Sequence, residues 1–136
     1  MGVIKKKRRR RRKKRYHTGV HVSAKTGQAC KYRSGWELSY MQWLDAHAAV
    51  RTYSYEAVKI PYVSNVRTCK LRNYLPDFLI EYVDGSKQLV EIKPKRKVQH
   101  VTVQKKLKAA ELYCRAHGIS LVILTEVELK VMGLLK

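Results

Sequence analysis

The chain has 136 residues, 45% of them hydrophobic, which is enough for one domain with a modest core. Thirty Lys and Arg against ten Asp and Glu give a formal charge of +20, a balance that calls for a polyanionic partner. No apolar run approaches the ~20 residues of a membrane span, and the basic start is not followed by the apolar segment of a signal peptide, so no membrane partner is expected.

Cys30, Cys69 and Cys114 are odd in number and show no C-x-x-C spacing. Neither a disulfide framework nor a zinc knuckle follows from them, and a reducing cytoplasm is the expected location. Eleven of the thirty basic residues form one run: Lys5, Lys6, Lys7, Arg8, Arg9, Arg10, Arg11, Arg12, Lys13, Lys14 and Arg15. Such a run repels itself and has no apolar surface to bury, so it reads as a disordered arm that orders on a polyanion. Neutralising phosphates with release of counterions would make that binding strong, blind to sequence and sensitive to salt. A localisation signal or an anionic membrane surface would use the same composition. Nucleic acid is favoured because the rest of the chain is also basic and offers no amphipathic anchor.

Residues 16–33 show no clear period and read as a linker or a surface arm, so residues 1–33 are taken as arm and linker and 34–136 as the folded domain. "SGWELSYMQWLDAH" places Ser34 three residues before Glu37, a helix-start signal, and Trp36, Tyr40, Met41, Trp43 and Leu44 recur at helical spacing; a helix is predicted over about 34–47. Residues 50–63 are rich in β-branched and aromatic types, with Pro61 confining their second half to a sheet edge or strand end. "LRNYLPDFLIEYV" and "KQLVEIKP", separated by "DGS", predict a hairpin. A helix is expected over 98–117, closed by Gly118, with Val101, Leu107, Ala110, Leu112 and Cys114 facing inward. "ISLVIL" suits a buried strand and "EVELKVMGLL" a short terminal helix. Helix, strands, hairpin, helix, strand, helix implies an α/β fold with a central mixed sheet of about four to five strands flanked by helices.

The hairpin holds the chemistry. A two-residue loop at Asp84-Gly85 would set Asp77 opposite Ile92 and send Glu91 to the other face. A three-residue Asp-Gly-Ser loop would pair Val83 with Lys87, put Asp77 opposite Lys93 and diagonal to Glu91, and gather all three side chains on one face. That register also collects Phe78, Ile80, Val90 and Ile92 on the reverse face, and a consistent apolar face is what fixes strand register. Two carboxylates side by side repel unless a cation lies between them. Mg²⁺ prefers oxygen ligands and is often held by one or two carboxylates plus substrate phosphate; Asp77, Glu91 and the Ile92 carbonyl could supply such a set. Lys93 could orient or deprotonate water, or neutralise charge on a phosphate.

Pro76-Asp77 followed by Glu91-Ile92-Lys93, with an acid in a preceding helix, resembles the PD-(D/E)XK nuclease superfamily, whose core is restriction-endonuclease-like. The wider pattern "YRSGWELSYMQWLDAH…IPY…RNYLPDFLIEY…LVEIKPK" is similar to its TnsA N-terminal-like branch, which includes transposon-end endonucleases and phage head-completion proteins. The likeness spans roughly residues 32–125. Carried over by position, it implies Glu37 as the helical acid and a further candidate ligand, Asp77 as central metal ligand, Glu91 as second ligand and Lys93 as catalytic lysine. It implies hydrolysis of DNA phosphodiesters with Mg²⁺, for which Mn²⁺ would substitute. For a phage-encoded protein the host cytoplasm or the virion would be the location, and head proteins would be candidate partners.

Each residue also has a plainer use. Glu37 could be the N3 acid of a capping box, Asp77 could satisfy a turn, and Glu91 with Lys93 could be a solvated strand face; only their convergence favours a metal site. Glu81 shares the Asp77 face as a reserve ligand, whereas Glu56 reads as a surface residue. Lys95, Arg96 and Lys97 directly follow the site strand and are candidates for the DNA backbone, as is Lys105 with its neighbours Gln104, Lys106 and Lys108, although a lysine-rich helix face is most often only solvated. The leading class is thus a metal-dependent DNA endonuclease, whose strand motifs resemble the phage head-completion proteins most, with a homing, junction-resolving or transposon-end endonuclease as alternatives. The competing classes are a non-catalytic DNA-binding virion protein and a ribosomal-type RNA binder. Cutting two strands would suit a homodimer.

Overall fold

The computed structural model describes residue 2 and residues 17–136, so the run from Lys5 to Arg15 lies outside the described residues. The elements are β1 (Gly19–Val22), β2 (Ala29–Tyr32), α1 (Gly35–Ala46), β3 (Val50–Tyr55), β4 (Ile60–Asn65), β5 (Lys70–Tyr74), β6 (Phe78–Tyr82), β7 (Lys87–Ile92), α2 (Lys95–Val98), α3 (Val101–His117), β8 (Ser120–Leu124) and α4 (Glu126–Val131). β3, β6, β7 and β8 form the four-stranded central sheet in that spatial order. β3–β6 and β6–β7 run antiparallel while β7–β8 run parallel, so the sheet is mixed, as the element order implied. The parallel neighbour arises because α2 and α3 carry the chain back across the sheet before β8.

Both faces of the sheet are covered. Alternation sends Phe78, Ile80, Val90, Ile92 and Leu124 to one side, where they meet Tyr40, Met41 and Leu44 of α1 and Leu129 of α4. On the reverse side Leu89, with Leu79 and Leu121, meets Ala110 and Cys114 of α3 and Ile60, Tyr62 and Tyr74 of the β4–β5 hairpin. Phe78 is fully buried, with the Tyr40 ring edge-on at 5.2 Å. A side chain of that kind contributes about 1.5–3 kcal/mol by burial, and it fixes the backbone immediately after Asp77.

α1 begins where expected: Ser34 accepts the Glu37 N–H at 3.2 Å. α3 ends at Gly118, whose φ of 63° lies in the left-handed region that favours glycine. Four expectations need correction. Residues 19–32, read as part of a linker, form the antiparallel β1–β2 hairpin. Cys30 and Tyr32 join the α1-side core, and the Asp45 carboxylate of α1 takes hydrogen bonds from His21 at 2.6 Å and the Ser23 hydroxyl at 2.9 Å. The period was obscured because each strand is only four residues long, too short for its alternation to stand out. "LRNYLPDFLIEYV" is two strands, broken at Leu75-Pro76-Asp77, with β5 paired to β4 in a separate sheet; Pro76 has no N–H to give a ladder. The long helix starts at Val101, after a separate turn over Lys95–Val98. Within it Val101 and Leu112 are exposed, and only Leu107, Ala110 and Cys114 are buried.

The β6–β7 loop has three residues, but they are Val83-Asp84-Gly85 rather than Asp84-Gly85-Ser86. The Tyr82 N–H donates to Ser86 O at 2.9 Å, and Glu81 pairs with Lys87. The Asp84 side chain accepts the Ser86 N–H and hydroxyl at 2.9 and 2.6 Å, which holds Ser86 opposite Tyr82, just before β7. Because the loop is odd, Asp77, Glu91 and Lys93 keep a common face. Extending the ladder past the Phe78–Val90 pair brings Asp77 level with Glu91, not with Lys93.

Candidate active site

Where β6 begins and β7 ends, a cleft of about 330 Å³ is lined by Arg33, Glu37, Glu56, Asn73, Tyr74, Leu75, Asp77, Glu91, Ile92, Lys93 and Lys106. All four residues singled out in the sequence for catalysis therefore reach one cavity. Asp77 and Glu91 are buried. The Ile92 N–H donates to Asp77 Oδ2 at 2.8 Å, and the Asp77 N–H donates to Glu91 Oε2 at 3.3 Å. Lys93 Nζ lies 3.6 Å from Glu91 Oε1. Glu37, on the first turn of α1, uses Oε2 twice, accepting the Arg33 N–H at 3.0 Å and the Tyr55 hydroxyl. Its capping role is thus real but displaced by one residue, since the box would have used the N–H of Ser34.

Burial and like charge dominate the electrostatics of the cleft. Burial, and then the charge of Glu91, push the Asp77 carboxyl well above the ordinary carboxylate range, with the Ile92 N–H and Lys93 acting in the opposite direction. Burial likewise pushes Glu91 up against the lowering influence of its neighbours, Lys93 among them. The Tyr74 hydroxyl is buried beside Glu91 without closing a hydrogen bond to it, and burial together with that carboxylate raises it strongly. Two desolvated carboxylates with one lysine between them and the solvent are short of positive charge. An all-oxygen donor set of this kind fits a hard divalent cation. Among the described residues no group of three or more His, Cys, Asp or Glu side chains is arranged to hold a metal.

Other expectations divide. Lys95, Arg96 and Lys97 are exposed on α2, and Lys97 lines an adjoining cleft with His17, Arg33, Trp36, Glu37 and Lys93. Lys105 is engaged elsewhere: its Nζ donates to the Ser64 carbonyl at 3.2 Å. Lys106 takes the cleft position instead, 5.9 Å from the centre of the Tyr74 ring. Its spacing of four from the buried Ala110 was the available signal. Glu81 pairs with Arg51 at 3.4 Å and does not line the cleft, whereas Glu56, paired with Arg33 at 3.3 Å, does. Tyr55, Tyr74 and Asn73 were not legible as site residues, because an aromatic or an amide in a strand looks the same whether it lines a core or a cleft.

A family model described as TnsA-like endonuclease, N terminal, matches residues 47–126, a span that includes Asp77, Glu91 and Lys93 and leaves out Glu37. The chain is also similar to the head completion nuclease of Enterobacteria phage T4, with 31% identity over 75% of this chain and 82% of that protein. No described helix is long and apolar enough to cross a membrane.

Proposed function

Because the chain belongs to the TnsA-like endonuclease N-terminal family, we propose that it is a nuclease that hydrolyses DNA phosphodiesters with a divalent metal at the Asp77–Glu91 cleft, in the service of phage head completion. The observation that carries the reading is the pair of buried, mutually adjacent carboxylates with Lys93 at their open side. A non-catalytic binder gains nothing from holding two desolvated acids in a basic protein.

Asp77 and Glu91 would hold the metal, Mg²⁺ or Mn²⁺, with the Ile92 carbonyl as a further donor. The Ile92 N–H points to Asp77, and in an extended strand the N–H and C=O of one residue leave the same edge. When bound there, the cation would supply Lewis-acid stabilisation of phosphate charge and a more acidic water. The chain's own residues do the rest. The Ile92 N–H fixes the rotamer of Asp77, and the Asp77 N–H fixes Glu91, so both carboxylates are oriented before substrate arrives. Lys93 Nζ stands where it can hydrogen-bond a water or a phosphoryl oxygen as negative charge grows. Glu37 holds the Arg33 backbone and the Tyr55 hydroxyl at the cleft wall, and its Oε1 has no partner among the described residues.

The T4 relative's name carries head completion to this chain as part of the proposal, supported by the extent of the match. Head proteins would then be partners, and two copies would serve the two strands. Incubating the full chain with supercoiled, linear and branched DNA, in Mg²⁺, Mn²⁺ or EDTA, tests the chemistry. Metal-dependent nicking or cutting supports it, and intact DNA under every condition overturns it.

A further inference from the structure

The β4–β5 hairpin is not needed to build the central sheet, yet it stands beside the cleft. Its root is anchored: Ile60, Tyr62 and Tyr74 are buried against α3, and Lys105 Nζ holds the Ser64 carbonyl. Beyond that root it is exposed on nearly every residue from Val63 to Asn73. The cross-strand pairs Pro61–Asn73 and Val63–Leu71 form its outer face, and Asn73 also lines the catalytic cleft, so this face runs from the cleft outward. Between Glu56 and Asp77 the chain has four cations, Lys59, Arg67, Lys70 and Arg72, and no acid. Edge cations alone would be ordinary protection against aggregation. Strand alternation turns Lys70 and Arg72 to the face opposite Leu71, while Val63 and Leu71 pair on the outer face; Val63, Val66 and Leu71 are 44%, 74% and 68% exposed, an apolar grouping that water does not favour.

We propose that this ribbon is a second DNA-contacting element that enters the major groove of the duplex beside the scissile strand. The inference rests on the reading of the cleft as a DNA-cutting site. A two-stranded ribbon fits a groove about 12 Å wide, and the three residues Val63–Asn65 extend about 10 Å, comparable with a groove depth of about 8.5 Å. Arg67, Lys70 and Arg72 meet phosphates and base edges, while Val63, Val66 and Leu71 meet apolar base edges such as thymine methyl groups. Through Asn73 the ribbon then sets where along the duplex the phosphate enters the cleft.

Cys69 at the ribbon tip is exposed while Cys30 and Cys114 are buried, so the natural chain carries its own probe. In EDTA, the full chain is mixed with duplexes carrying a tether that ends in a mixed disulfide, either on cytosine N4, in the major groove, or on guanine N2, in the minor groove, so that the Cys69 thiolate displaces the small thiol of the tether. Disulfide capture at Cys69 is expected from the major-groove tether. In parallel, the triple variant Arg67→Ala, Lys70→Ala, Arg72→Ala should lower the slope of log affinity against log salt by about 0.9 for each phosphate no longer neutralised, and Leu71→Ser should alter the pattern of cut positions on a fixed duplex. Capture from the minor groove alone, or no capture with slope and cut pattern unchanged, overturns the proposal. Variants that keep DNA binding and cutting but lose self-association in sedimentation would make the ribbon a protein interface and also overturn it. Failure of the wild type to cut in Mg²⁺ would instead strike the catalytic reading, because capture and salt slope are both read without cutting.

Discussion

Asp77 and Glu91 are joined through the backbone as well as by proximity. The Asp77 N–H donates to the Glu91 carboxylate, and the residue after Glu91 returns the bond, its N–H donating to the Asp77 carboxylate. Two like charges are thus held together, out of water, by the same strands that bury Phe78 and Val90 on the opposite face. The fold bears an electrostatic cost that a cation at the proposed site would relieve.

That cost sets the first expectation. A carboxyl whose folded-state value is raised binds its proton more tightly in the folded chain, so its unfavourable contribution is absent at low pH and grows as pH rises above the ordinary value of 3.8. Asp77→Asn keeps an oxygen for the Ile92 N–H and removes the charge. In metal-free buffer its Tm should match the wild type near the acidic end and exceed it increasingly toward neutrality, by about 4 °C for each 1 kcal/mol gained. Mg²⁺ should raise the Tm of the wild type but not of the variant, and the variant should not cut. Thermal melts across pH with and without Mg²⁺ check all three, and a variant less stable at neutral pH would show that the pair is already compensated.

Glu37 separates positioning from ligation. Glu37→Ala strands the Tyr55 hydroxyl and the Arg33 N–H and should cost about 1–3 kcal/mol. Glu37→Gln keeps an acceptor for both, so its Tm should stay near the wild type while cutting falls about 10- to 100-fold and recovers as Mg²⁺ is raised. Melting curves and a Mg²⁺ titration of cutting decide the matter: a Gln variant that cuts as well as the wild type would confine Glu37 to capping α1.

The contrast between these residues explains what was legible in the sequence. Asp77, Glu91 and Lys93 could be grouped because strand alternation is strict and the apolar partners Phe78, Ile80, Val90 and Ile92 fixed its phase. Parity survived even though the loop was placed one residue too late, since the side chain of Asp84 rather than the loop length decided which residue closed the turn. α1 was legible because Ser34 caps it directly. The β1–β2 hairpin was not, because its burial depends on the Asp45 contacts of His21 and Ser23, which are tertiary. Nor was the break at Pro76: one proline between two apolar runs reads equally as a strand end or as a bulge, and only the packing of Tyr74 on α3 decides.

The polybasic run should act independently of the cleft. Deleting residues 5–15 removes eleven cations and should leave the stability within about 0.5 kcal/mol of the wild type, because the run carries no apolar side chain to bury. The salt slope of DNA binding should flatten by about 0.9 for each phosphate that the run had neutralised. Affinity measured across a salt series is the check, and an unchanged slope would assign the run to another partner.

Lys93 distinguishes an enzyme from a binder. Its Nζ is 3.6 Å from Glu91 Oε1, and its side chain is only 27% exposed, so it is placed for the cleft rather than for an extended phosphate track. Lys93→Met keeps the aliphatic length and removes the cation. Cutting should fall by about 10²- to 10⁴-fold, the usual scale for a positioned proton-transfer group. Removing one of thirty basic residues should lower the salt slope by no more than about 0.9. Lys93→Arg restores the charge in a bulky planar form and should recover little, because a guanidinium neither fits the compact ammonium site nor gives up a proton. Measuring affinity and single-turnover cutting on one duplex for the wild type and both variants reads the two roles separately. If Lys93→Met cuts at the wild-type rate, the lysine only neutralises Glu91, and the group that handles the attacking water must be sought among the other cleft residues, with Lys106 first in order.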